Sequence, residues 1–171
     1  MIKGFKIFNS DFTNRYGQKF EVDKEYVASG DIVWGTNGNG FHFCANLEDC
    51  FRYYDAINDD CIITQVSGSG KIKEYNDEYY GYYDMYVSEI LKINKVLSRE
   101  EVLSYLYNLL DSRTLNFNRI KRFIRGYKLN TLEIEEILNI LMNKDEKNVS
   151  NYVFYLSRFQ KNNINYNKFM R

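Results

Sequence analysis

Apolar residues change their spacing once along this chain, near Ser98. Before that point they come in short or alternating runs, and after it they recur every three to four residues. The alternation predicts strands. Gly4 to Phe8 puts Phe5 and Ile7 on one side and Lys6 and Phe8 on the other. Phe20 to Val22, Tyr26 to Ala28 and Ile32 to Trp34 supply further extended pieces, and Gly35 to Gly40 a flexible turn. Phe41 to Cys44 places Phe41 and Phe43 on one face and His42 and Cys44 on the other. Cys61 to Val66 is a strand expected to end at Gly68-Ser69-Gly70, and Tyr86 to Ile93 is the last strand.

One short helix interrupts this part, expected at about 46–56. Asn46 caps it with Asp49 three residues on, and Leu47, Cys50, Phe51 and Tyr54 share a stripe. Tyr53 lies about 100° away from that stripe. From Ser98 four helices follow. Ser98 and Glu101 make a capping box ahead of Val102, Leu103, Leu106, Leu109 and Leu110. Phe117 to Arg125 is the second, stopped by Gly126. Asn130 and Glu133 make another box ahead of Ile134, Ile137, Leu138 and Leu141. The fourth runs from about 148 to 160, and a polar tail, 162–171, is expected to be loosely held. The fold class is α+β: a twisted, mostly antiparallel sheet in 1–97, then a helical appendage in 98–171. The expected core contains Phe41, Phe43, Leu47, Phe51, Ile63, Leu91, Leu106, Ile120, Leu138 and Leu156.

Composition narrows the class. The 171 residues fit one domain or a domain with an appendage. No apolar run is long enough to cross a bilayer, no signal peptide is visible, and three cysteines without metal-type spacing fit a reducing cytoplasm. A cytoplasmic protein without membrane contact is therefore expected. Net charge is zero but divided: 98–171 holds 13 basic and 8 acidic residues, a balance of +5, leaving 10 and 15, or −5, in 1–97.

Few residues offer chemistry. His42, the one histidine, sits at a strand end as a ligand-contacting or acid/base residue, or as a half-buried ring bonded to backbone. Strand alternation sets Glu89 beside Val87, Leu91 and Ile93, where a carboxylate is costly unless paired or facing a cleft; a strand end or a bulge that turns it outward is the other reading. Six tyrosines between Tyr75 and Tyr86 form a contact loop, Tyr80 and Tyr83 foremost, or a lid on the core. Arg113 to Lys128 contains Arg119, Lys121, Arg122 and Arg125 and no acid. It suits phosphates or an acidic protein face, or is a solvated helix face. The overall isoelectric point of 6.6 argues against a general nucleic-acid reading. Gly70-Lys71 is not a P-loop, because Gln65 and Ile72 occupy the positions that motif needs. One histidine and scattered cysteines make no usual zinc site, so no metal is expected. Cys44 and His42 share a face as a conceivable nucleophile and base, with no third group to orient them.

The order strand, Gly40-Phe41-His42, short helix with Tyr53 or Tyr54, strand, then Val87-Ser88-Glu89 resembles the ADP-ribosyltransferase fold. The same stretch, about residues 2–98, is similar to an uncharacterised family of short phage-borne domains. The first resemblance implies NAD as cofactor and mono-ADP-ribosyl transfer. Glu89 would hold the ribose and polarise the acceptor, His42 and Tyr53 or Tyr54 would line the nicotinamide site, and Lys6 would lie near the phosphates. The first strand lacks the family's nucleotide-binding histidine or arginine. The second resemblance implies a small effector that binds and inhibits a host protein or nucleoprotein, such as a defence complex.

Overall fold

The alternating runs form five strands in the computed structural model, which describes residues 1–35, 38–54, 60–76, 84–111, 116–144, 149–160 and 164–169. They are β1 (Ile2–Asn9), β2 (Glu25–Val27), β3 (Phe41–Cys44), β4 (Cys61–Asn76) and β5 (Asp84–Val96). Every pairing among them is antiparallel. The order is β2-β5-β3-β1-β4, and β5 also pairs with β4. That extra pairing closes β1, β3, β5 and β4 into a hydrogen-bonded ring, one way a small sheet avoids open edges. Phe8, Phe20, Phe43, Val66, Leu91 and Ile93 form its core, with Phe12, Tyr26 and Phe41 packed around them. Phe20 is central, its ring 4.8 Å from Phe8 and 4.6 Å from Tyr26.

Two strands depart from the sequence pattern. β4 does not end at Gly68-Ser69-Gly70 but continues to Asn76. Between the pairs Ser69↔Ile90 and Ile72↔Ser88, Gly70 and Lys71 oppose Glu89 alone, which makes a bulge. Gly70 takes φ +73, a conformation glycine adopts without penalty, and the strand passes through what looked like a turn. On β5, Tyr86 and Leu91 both pack against the ring core although they lie five apart. Period-two alternation therefore slips once between them. Ser88 marks the slip, its hydroxyl donating to the Ile90 carbonyl at 2.8 Å.

The short helix α1 covers only Leu47–Cys50, less than the expected 46–56. Asn46 bonds the Asp49 carboxylate at 3.0 Å, so the start was placed correctly. The helix stops early because the next side chain serves other neighbours: the Phe51 ring lies 5.3 Å from Phe123 and 5.8 Å from Tyr127.

The chain forms two compact units, Met1–Cys50 with Asp60–Glu100, and Phe51–Asp59 with Glu101–Arg171. The second holds the helices α2 (Arg99–Asp111, but for its first two residues), α3 (Phe117–Gly126), α4 (Thr131–Lys144) and α5 (Val149–Phe159). Both halves of the Asn130/Glu133 box form: the Asn130 N–H donates to Glu133 at 2.7 Å and the Glu133 N–H to Asn130 at 3.0 Å. Leu106, Leu110, Ile120, Phe123, Ile137, Leu138, Tyr152 and Leu156 are buried there. Gln160, just after α5, bonds the Leu129 N–H and the carbonyls of Ile124 and Tyr127, tying it to the last turn of α3 and the segment that follows. The tail is not wholly loose, since Phe169, in a 3-10 turn at Tyr166–Phe169, is buried. Of the ten expected core residues, nine are buried; Phe41 is half-buried against the ring core. No helix among the described residues is long and apolar enough to cross a membrane.

Candidate functional site

His42 lies on the face of β3 opposite Phe41 and Phe43, level with Val87 of β5. The loop between β2 and β3 folds over it. Trp34 from that loop sits 4.9 Å from the imidazole, and Tyr75 of β4 stacks on Trp34 at 4.5 Å with 9° between the rings. The loop is fastened by Asn39, whose side-chain amide bonds the carbonyls of Ser29 and Asp31, and by Lys73, which reaches the Ile32 carbonyl at 2.7 Å. Burial, then the positive charges of Lys6 and Arg15, pull the His42 pKa down to about 4; a hydrogen bond to the Gly40 backbone opposes them. His42 Nε2 is buried without a partner, so Nδ1 serves Gly40 and Nε2 is left as an acceptor. A neutral imidazole with that pKa is a weak base at neutral pH.

Lys6 projects from the face of β1 that also carries Phe8, and its ammonium lies 5.7 Å from the Phe8 ring centroid. It donates to the His42 carbonyl at 2.6 Å. Burial lowers its pKa, with Cys44 and Cys50 acting the other way. The Cys50 thiol donates to the Phe5 carbonyl at 3.3 Å, and burial raises its pKa well above the ordinary range. The Cys50 thiol is therefore protonated at neutral pH.

Glu89 is half-buried and faces the bulge rather than an apolar wall. Its Oε2 accepts the Lys71 N–H at 3.0 Å. A Cβ added at Gly70 would come within 2.6 Å of that oxygen, so glycine makes room for the carboxylate. The bulge lies on β4, opposite Glu89, not on the Tyr86–Ile93 strand where the sequence reading put it, and the carboxylate turns toward it. The register nonetheless aligns the two motifs singled out in the sequence: Phe41 pairs with Ser88 and His42 with Val87. The two segments are neighbours in the sheet, but the Glu89 carboxylate faces Gly70 and Lys71 while the His42 imidazole faces Trp34. Tyr53 and Tyr54 fall in the second unit, Tyr53 54% exposed and Tyr54 half-buried.

In the second unit, Arg119, Lys121, Arg122 and Arg125 lie on α3, and that helix carries no acid. Sequence reasoning missed its neighbour. α5 packs against α3 and presents Phe154, Tyr155, Arg158 and Phe159. Lys121 sits 4.7 Å from the Tyr155 ring and Arg125 4.8 Å from Phe159. Arg158 lies 5.9 Å from Phe154 and 5.8 Å from Phe159. The signal was present in the Phe154-Tyr155…Arg158-Phe159 spacing, but only packing shows which helix it joins. Tyr80, Tyr83 and Arg113 lie outside the described residues. No group of three or more His, Cys, Asp or Glu among the described residues could hold a metal ion.

No curated protein and no solved structure gives a match to the chain. One family model does, over residues 2–104, which takes in the whole strand ring and the start of α2. The chain thereby belongs to the family described as a domain of unknown function, DUF7666.

Proposed function

We propose that this protein is a binding module, a small phage-type effector that docks on a host macromolecule and inhibits it, with a defence complex as the class of target. One observation carries the reading. α3 carries four cations and no acid, Arg125 exposed and the other three half-buried, and two of those cations are held over rings of α5. Fixed cations recognise an anionic partner without reorganising first, which favours specificity and fast encounter. The similarity to short phage-borne domains supplies the host setting. The groups named for catalysis are otherwise engaged: Glu89 accepts a bulge N–H, Lys6 bonds a carbonyl, and His42 is held neutral. Pull-down from a host lysate tests the proposal. Capture of a partner should be lost on charge reversal at Arg119, Arg122 and Arg125. Undiminished capture by that triple variant would sink it.

Mono-ADP-ribosyl transfer from NAD is the second reading. It is favoured by the Phe41↔Ser88 register, which sets the Gly40-Phe41-His42 and Val87-Ser88-Glu89 segments side by side. Calorimetry with NAD and label transfer from NAD discriminate. Glu89→Gln keeps an acceptor oxygen for the Lys71 N–H, so the bulge should survive while transfer falls by about 10²–10³. No heat and no transfer leave the binding module alone.

A further inference from the structure

We propose that the α3–α5 face binds single-stranded nucleic acid, with α5 supplying the stacking surface; this rests on the binding-module reading and names its ligand class. The charge argument comes first. α3 carries Arg119, Lys121, Arg122 and Arg125, α5 carries Arg158, and neither helix has an acidic residue. Such a face complements a polyanion, and its affinity should follow salt concentration.

The rings decide which polyanion. Phe154 is 54% exposed although it is large and apolar. Tyr155 and Phe159, one helical turn apart, lie nearly parallel, 10° between planes and 6.0 Å between centroids. Phe154 meets Tyr155 edge-on at 5.5 Å. Lys121 lies over the Tyr155 ring and Arg125 over the Phe159 ring, which leaves Phe154, with Arg158 5.9 Å away, as the exposed ring of the row. An exposed ring with fixed cations around it matches the two parts of an unpaired strand: a base face for Phe154 and phosphates for the cations. A duplex hides its base faces and would use only the cations. An acidic polypeptide would likewise satisfy the charges and give the rings no planar partner.

The experiment is fluorescence anisotropy of the full chain with labelled single strands of about 12 nucleotides, oligo-U RNA in one arm and oligo-dT DNA in the other. A duplex of equal length and poly-glutamate complete the set. Both single strands should bind, and more tightly than the duplex. For about four neutralised phosphates, raising salt from about 50 to about 200 mM should weaken binding roughly 50-fold. Arg125→Glu with Arg158→Glu should abolish binding. Phe154→Ala, at an exposed position, should weaken it about 5-fold or more with an unchanged circular dichroism spectrum. Tighter binding by the RNA arm assigns RNA as the ligand, and equal binding assigns either strand. Absence of binding to both strands at low salt overturns the inference, as does equal or tighter binding of duplex or poly-glutamate. If the strands fail while the Arg119, Arg122 and Arg125 variant still loses its lysate partner, this inference falls and the binding module stands.

Discussion

Acidifying the protein should leave His42 neutral far below the range in which an exposed histidine charges. The ring is partly buried, faces the charges of Lys6 and Arg15, and is expected to titrate at about 4 instead of 6.5. Folding linkage fixes the sign. Between about pH 6.5 and pH 4 the unfolded chain binds a proton at this residue and the folded chain does not. The stabilising contribution is complete above about 6.5 and is lost as pH falls through that window. Taken at face value, the shift corresponds to about 1.8 kcal/mol lost between pH 7 and pH 5. The ring is only half-buried, and solvent screening reduces the figure to about 1 kcal/mol. Two probes read this directly. The chain has one histidine and one tryptophan, so its imidazole NMR signals need no assignment. Trp34, 4.9 Å from the imidazole, should lose fluorescence when the ring becomes cationic. Both probes should show a midpoint near 4, and urea unfolding of His42→Gln should depend less on pH across the same window. A midpoint at 6 or above would refute the environment described here, loop packing included.

Two further perturbations test the second unit. Gln160→Leu removes the acceptor for the Leu129 N–H and the donors to the Ile124 and Tyr127 carbonyls; with Gln160 itself buried, the cost should be about 2–4 kcal/mol by urea unfolding. Asn130→Ala breaks one half of the cap on α4 and should cost about 1 kcal/mol, read from the helical circular dichroism signal on thermal unfolding, with Asn130→Ser largely restoring it.

The helical half was legible because its determinants are local. A cap bonds an N–H three residues away, and an apolar stripe repeats within one turn, so Asn130, Glu133 and the Phe117–Arg125 run announced themselves without any partner, although Gly126, read as the stop, is the last helical residue and Tyr127 the cap. The strands were legible as strands, and the period-two face of β3 held, with Phe41 and Phe43 toward the ring core. Their ends and connections were not. Nothing near Gly70 says whether the chain turns or bulges; the carboxylate of Glu89, 19 residues on, settles it by accepting the Lys71 N–H. Alternation assigned Glu89 a face only by assuming an unbroken strand, and the slip between Tyr86 and Leu91 voids that assumption. Ring closure depends on β4 pairing with both β1 and β5, a long-range choice that no local pattern encodes. The sequence likewise showed the cations of α3, whereas packing alone brought α5 and its rings beside them. Local rules report which faces a segment has, and tertiary structure determines what each face meets.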